Sequence, residues 1–221
     1  MLQTQLYVND RTSELNAAVL DALPTLASLR PEIRWVSPLR AEAYREFWDA
    51  AFLRALGFPE LAGRLGEWWP RRGGPHWDAL ARLEFPDGSA GALLAEGKSY
   101  PGEMYDEKGC AASSPASLEK IRTALGETQR WLGVDRPVES WLRPLYQTAN
   151  RLATLRWLIE QLEGRAWLVH LCFLDDPTHI RSTRREWEDA FRTADQLLGI
   201  ERTVPNYAHV FLNGLPRPAL L

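Results

Sequence analysis

The sequence predicts an α/β domain with a central mixed sheet and helices on both faces. Three observations predict it. A pair of strand-like segments at about 77–98 flanks a turn-forming cluster, Phe85-Pro86-Asp87-Gly88-Ser89. A continuous apolar run, Ala166 to Leu174, fits a strand buried on both faces. Segments of helical apolar spacing precede, separate and follow these strands, the order that puts helices on both faces of a sheet.

In chain order, residues 12–27 show helical spacing, with Leu15, Val19, Leu20 and Leu23 on one side and Pro24 bending or ending the segment. Glu32 to Val36 fits a short strand or a linker. Residues 39–56 predict a stronger helix, with Leu39, Ala43, Phe47, Ala50, Ala51 and Leu53 at helical spacing and Gly57 closing it. A short helix is expected from Pro59 to Trp68, then a loop, Arg71-Arg72-Gly73-Gly74-Pro75. After the hairpin, Ser99 to Ser114 reads as irregular. Ser114 and Pro115 then start a helix that runs to Leu132 before Gly133. A long helix is expected over 144–163, another over 183–198 ended by Gly199, and a last strand over Tyr207 to Leu212. The Pro-rich tail after Gly214 reads as loose. Residues 1–38 form an N-terminal helical extension packed on the core, and 39–221 the α/β domain.

Composition bounds the function. The chain has 221 residues, 45% hydrophobic, enough for a sizeable core. Ten tryptophans are many; Trp35, Trp48, Trp131, Trp157, Trp167 and Trp187 fall in periodic apolar patterns and read first as core, then as base-stacking surface. A net charge of −3 speaks against a tight nonspecific nucleic-acid binder, which is usually basic. Two cysteines, Cys110 and Cys172, have neither zinc nor disulfide spacing, and Cys172 reads as a buried small hydrophobe. No signal-peptide pattern and no membrane-spanning run is read, so a cytoplasmic location without a membrane partner is expected. No nucleotide-binding glycine loop or serine-nucleophile elbow is found.

The chemistry is concentrated in the hairpin. Side chains two apart on a strand share a face, so Glu96 and Lys98 point one way and Gly97 the other. Pro86, Asp87 and Gly88 suit a three-residue loop, a type I turn with a glycine bulge. Pairing Phe85 with Ser89 sets Asp78 opposite Glu96, and the two carboxylates converge. A two-residue loop would set Asp78 opposite Gly97 and separate them. Paired carboxylates suit Mg²⁺, a hard ion that takes oxygen ligands together with substrate phosphate. A lysine beside them can orient or deprotonate the attacking water or steady developing charge. Only three of the 26 basic residues are lysines, and Lys98 is one. The plainer reading is an incidental strand-end acid and an exposed Glu-x-Lys pair.

Asp78, followed after an apolar strand by Glu96-Gly97-Lys98 and preceded by a helix with an acidic residue, resembles the PD-(D/E)XK nuclease superfamily. Trp69 to Ala79, Leu94 to Lys98 and Tyr146 to Ala153 are similar to a set of bacterial proteins assigned to it, over roughly residues 40 to 212. The resemblance implies a restriction-endonuclease-like fold and a nuclease that hydrolyses phosphodiester bonds of nucleic acid, DNA before RNA, with Mg²⁺ or Mn²⁺. Asp78 and Glu96 are then metal ligands and Lys98 acts on the attacking water. Glu46 is the first-helix acid that completes the metal shell, with Glu42 and Asp49 as rivals on its helix face. A homodimer is expected by analogy. The sequence departs from the pattern at Trp77, where proline is usual, and at Gly97, where an apolar residue is commoner.

The long helix adds a polar stripe, Gln147, Asn150, Arg151 and Thr154, at i, i+3, i+4 and i+7. Gln147 is expected at the catalytic site, and Arg151 and Asn150 at nucleic acid, with a hydrogen-bonded structural face as the alternative. Arg72, in the loop before the hairpin, is a further candidate phosphate contact. His76 flanks Asp78 and could enter the site, whereas His170 reads as a satisfied core histidine. The rival function is a non-catalytic nucleic-acid-binding or regulatory protein on the same fold.

Overall fold

Turn chemistry sets the centre of the sheet. In the computed structural model, which describes residues 2–105 and 108–217, the loop after Phe85 closes with Gly88 N–H on Phe85 O (2.9 Å) and Phe85 N–H on Ser89 O (3.0 Å). Gly88 has φ +80°, the left-handed conformation that the bulge requires and glycine adopts without strain. Asp87 Oδ1 accepts from Ser89 N–H (2.9 Å) and fixes the turn. Strands β2 (Ala79–Glu84) and β3 (Ala90–Lys98) therefore pair antiparallel with Glu84 opposite Ala90 and Ala79 opposite Ala95. This is the register that carries Asp78 to Glu96.

The other strands extend the sheet on both sides. β1 (Glu32–Ser37) pairs antiparallel with β2, and β4 (Ala166–Leu174) pairs parallel with β3. β5 (Tyr207–Asn213) pairs parallel with β4, giving a five-stranded mixed sheet in the order β1-β2-β3-β4-β5. Residues 32–37, within the N-terminal 38, thus belong to the sheet. Alternation along the strands splits the core in two. Leu80, Ala92, Leu94, Ala166, Leu168 and Cys172 face one layer. Ala79, Ala81, Leu93, Ala95, Val169, Leu171 and Phe173 face the other.

Helices α1 (Leu2–Asp10), α2 (Thr12–Ala22) and α3 (Pro24–Ser28) precede β1 in the chain, and they cover the second layer with Tyr7, Leu15, Val19 and Leu26. On the first layer lie α4 (Asp49–Ala55), α5 (Leu61–Trp68), α6 (Pro115–Leu132), α7 (Tyr146–Gln161) and α8 (Arg184–Leu198). Local signals fix several ends. Ser114 Oγ accepts from Ser117 N–H at the start of α6, and Gly133 ends it at φ +72°. Thr183 and Glu186 form a reciprocal capping box on α8.

Two expectations fail. Residues 39–56 are not one helix. A short 3₁₀ turn, Arg40–Glu42, is followed by Ala43 and Tyr44 in the left-handed region (φ 52° and 57°), and Phe47 then bridges Trp77. α4 starts only at Asp49. The apolar residues there serve an extended segment that borders the sheet, so Glu46 lies on no helix and Trp48 is 46% exposed rather than core. The second failure is partial and at the C-terminal end, where one residue of the tail expected to be loose is held while Pro216 and Arg217 are exposed. Leu215 is held by Gln3, whose Nε2 donates to Leu215 O and whose Oε1 accepts from Leu215 N–H (2.8 Å each). The remainder of the tail, from Pro218, lies outside the described residues.

Candidate active site

β3 ends in the site. Asp78 precedes β2 directly, and its Oδ2 accepts from Gly97 N–H (2.8 Å) across the strand pair. Asp78, Glu96, Gly97 and Lys98 line one cleft of about 380 Å³ together with His76, Glu103, Gln147 and Arg151. The cleft lies at the C-terminal end of parallel-paired β3, where open α/β sheets commonly bind ligands.

Glu96 is buried and ringed by cations. Its Oε1 accepts from Lys98 Nζ (2.9 Å), and its Oε2 accepts from both Nε (3.0 Å) and Nη2 (2.8 Å) of Arg151. Burial alone would raise the Glu96 pKa, but the Arg151 and Lys98 charges outweigh it and hold the carboxyl below its usual value. Lys98 Nζ also donates to Gln147 Oε1 (3.1 Å). An ammonium has three N–H donors, so one is left without an acceptor among the described residues.

Arg151 is itself fixed from four sides. Nη2 also donates to His76 O (2.9 Å), Nη1 donates to Asn150 Oδ1 (2.8 Å), and the guanidinium lies over the Trp77 ring. Arg151 and Asn150, expected at nucleic acid, are largely buried, with Arg151 on the wall of the cleft and its guanidinium bonded to Glu96 and Asn150. Arg151 orients Glu96 instead. The stripe on α7 works as a clamp on the acidic site: Gln147 holds Lys98, Arg151 holds Glu96, and Thr154 Oγ1 closes on Asn150 O (2.9 Å).

Asp78 lacks such a partner. Burial pushes its carboxyl from 3.8 up to about 7, the Glu96 charge adding to this and the Gly97 N–H bond opposing it. Glu46 is raised in the same direction by burial, with His76 opposing and Glu96 adding, and its Oε1 is buried without a hydrogen-bond partner among the described residues. The Glu96 charge thus acts on both Asp78 and Glu46, although Glu46 comes from an extended segment. Among the described residues no group of three or more His, Cys, Asp or Glu side chains stands close enough to share an ion. Of the three carboxylates that line the cleft, Glu103 accepts from Ser99 N–H, which leaves Asp78 and Glu96 as the pair for an ion, a number that suffices for Mg²⁺ when phosphate and water complete its shell.

Gly97 is explained by the helix behind it. A Cβ there would collide with Thr4 Oγ1 of α1, so only glycine lets α1 close over the strand. Thr4 is fully buried and its hydroxyl has no hydrogen-bond partner among the described residues. α1 is tied to the strand ends by Gln3 Nε2 on Asp176 Oδ1 (2.8 Å) and Tyr7 O–H on Asn213 O (2.8 Å).

Sequence reasoning missed Glu103. It lies in a 3₁₀ turn, Pro101–Met104, whose start is marked by Pro101, and its Oε2 accepts from Ser99 N–H (2.7 Å). An acid three positions into a turn that opens on proline is the available signal. Neither Glu46 nor its rivals line the cleft: Glu42 is exposed, Asp49 Oδ1 accepts from Gly74 N–H (2.9 Å), and Glu46 is linked to the site through its charge interaction with Glu96 and His76. Arg72 is exposed and lines a neighbouring cleft of about 590 Å³ that shares His76, Gln147 and Arg151 with the first. His170, opposite Glu96 on β4, is buried with Nδ1 3.0 Å from Tyr207 Oη.

No family model matches the chain, and no curated protein or solved structure is significantly similar to it. No helix among the described residues is long and apolar enough to cross a membrane.

Proposed function

We propose that the protein is a metal-dependent nuclease of the PD-(D/E)XK type, hydrolysing phosphodiester bonds of nucleic acid, with DNA the first substrate to test. One observation carries this reading: Asp78 and Glu96, from two strands, line a single cleft with Lys98 bonded to Glu96. Asp78 and Glu96 would hold Mg²⁺, with Mn²⁺ as substitute and Glu46 nearby as a further acid. Such an ion, when bound, supplies positive charge to the phosphoryl oxygens and acidifies a water ligand.

The chain's own residues do the rest. Lys98 is held by Glu96 and Gln147, which leaves one N–H for a phosphate oxygen or the attacking water. Arg151 fixes the Glu96 carboxylate, so its direction is set before substrate arrives. Asp78 must ionise to act as a ligand. Its raised pKa makes proton and cation compete for it, so Mg²⁺ binding tightens as pH rises toward about 7.

A second reading has its own support. Both Glu96 oxygens are occupied by cations, as in a structural ion-pair network, which suits a non-catalytic nucleic-acid-binding protein on this fold.

Incubation with linear, circular and single-stranded DNA and with RNA, in Mg²⁺, Mn²⁺ or EDTA, separates the two. The nuclease reading expects cleavage that EDTA abolishes and that Asp78→Asn and Lys98→Met each reduce by at least about 100-fold. Binding without cleavage by folded wild-type protein supports the second reading. Cleavage that survives both substitutions refutes the first.

A further inference from the structure

Trp48 stands outside the core. It is 46% exposed, one of four large hydrophobic side chains so exposed among the described residues. One face of its indole stacks on the His76 imidazole, with centroids 4.7 Å apart and planes 11° from parallel. His76 lines the acidic cleft, so Trp48 stands one ring beyond the cleft wall.

The backbone holds the ring there. Trp77 N–H donates to Phe47 O (3.1 Å) just before it. Just after it, Asp49 takes φ 48° and its Oδ1 holds Gly74 N–H (2.9 Å). A left-handed aspartate costs conformational energy. Here it anchors the Trp48 segment to the 70–76 loop. The result is a flat apolar face, fixed in advance, beside a site whose proposed substrate carries flat rings.

Local charge fits the same occupant. Arg72, along the second cleft, makes no ion pair among the described residues, whereas Arg45 lies over the Phe47 ring. Arg72 shares that cleft with His76. With a net charge of −3 the molecule has no general attraction for nucleic acid. Affinity therefore has to come from local contacts, and base stacking is one that does not depend on charge.

We infer that the Trp48–His76 stack is a platform for an unpaired nucleobase, so that the substrate is single-stranded nucleic acid, or a duplex frayed beside the scissile bond. Inside an intact duplex both faces of a base are covered by its neighbours, and only the two terminal pairs expose one, so along a strand it is an unpaired base that offers a face to Trp48. This rests on the nucleic-acid reading of the adjacent cleft but does not require that the cleft cleave.

The test measures binding alone. Fluorescence anisotropy of a labelled single strand, a blunt duplex of the same sequence, and a single strand with abasic sites is recorded in EDTA, with DNA and RNA versions of the first two. Wild-type protein is expected to bind the single strand at least about 10-fold more tightly than the duplex. Trp48→Ala should lose about 10-fold on the single strand and nothing on the abasic strand, whereas Trp48→Phe keeps most of the affinity. The loss should be equal at low and high salt, unlike that of Arg72→Ala. Equal affinity for strand and duplex, or an equal Trp48→Ala loss on the abasic strand, overturns the platform. So does a Trp48→Ala change in oligomeric state with unaltered binding, which would make Trp48 a self-association contact. Discriminating binding with no cleavage in Mg²⁺ refutes the nuclease reading and leaves the platform standing.

Discussion

Asp78→Asn should stabilise the protein at pH 8 and leave it nearly unchanged near pH 4. The Asp78 carboxyl is half-buried at the cleft wall beside the Glu96 charge, and burial and that charge raise its pKa from 3.8 to about 7. In the unfolded chain it loses its proton near 3.8; in the folded protein it keeps it to about 7. Between these values the folded state binds more protons, so stability falls as pH rises and the loss is complete above the folded pKa. A rise of about three in pKa corresponds to about 4 kcal/mol, since each unit is about 1.4 kcal/mol. The shift is shared with Glu96, so about 2 to 4 kcal/mol is the expected gain. Asparagine keeps an oxygen for the Gly97 N–H and carries no charge. Urea unfolding of both proteins at pH 5 and pH 8 reads the effect, and the difference between them cancels most of what the other carboxylates do. The gain at pH 8 corresponds to at least about 4 °C in Tm for a chain of this size. An Asp78→Asn variant that is less stable at pH 8, or that shifts stability equally at both pH values, would refute the electrostatic argument. A destabilising charge kept at this position is what a site built for a cation would carry.

The remaining predictions concern the surroundings of that carboxylate. Mg²⁺ at pH 8 should raise the Tm of wild-type protein, by about 2.7 kcal/mol of stability at a hundred times its Kd, and not that of Asp78→Asn; calorimetry with and without EDTA checks this. Gly97→Ala should cost about 1 to 3 kcal/mol, because its methyl would meet Thr4 Oγ1, and Thr4→Ala in the same chain should recover most of it. A double-mutant cycle by chemical denaturation measures that coupling. Arg151→Lys should cost about 3 kcal/mol at neutral pH by breaking the fork on Glu96 and the bond to His76 O. Because folded Glu96 is held below its usual pKa, that cost should shrink only as the pH falls below the ordinary carboxylate range, which unfolding curves at pH 7 and pH 3 would reveal.

What the sequence determines by itself is local. Pro86, Asp87 and Gly88 fix a turn through their own backbone preferences, and a turn fixes a register, so the approach of Asp78 to Glu96 is legible in the chain alone. The ends of α6 and α8 are legible for the same reason, since Ser114, Gly133, Thr183 and Glu186 act on backbone groups within a few residues. The apolar run of β4 identifies itself because a strand covered on both faces needs no polar side. The tertiary structure decides everything that depends on distant partners. α1 has almost no apolar periodicity; Gln3 and Thr4 are buried there only because Asp176, Leu215 and Gly97 come to meet them. The helical spacing of 39–56 loses to a bridge between Phe47 and Trp77 and a link from Asp49 to Gly74, contacts that no local propensity encodes. Those same contacts turn Trp48 outward and bring Glu46 under the influence of Glu96. On a helical stripe Arg151 looks like a hand for phosphate, and packing makes it the holder of Glu96, because a buried carboxylate takes the nearest guanidinium that the fold delivers.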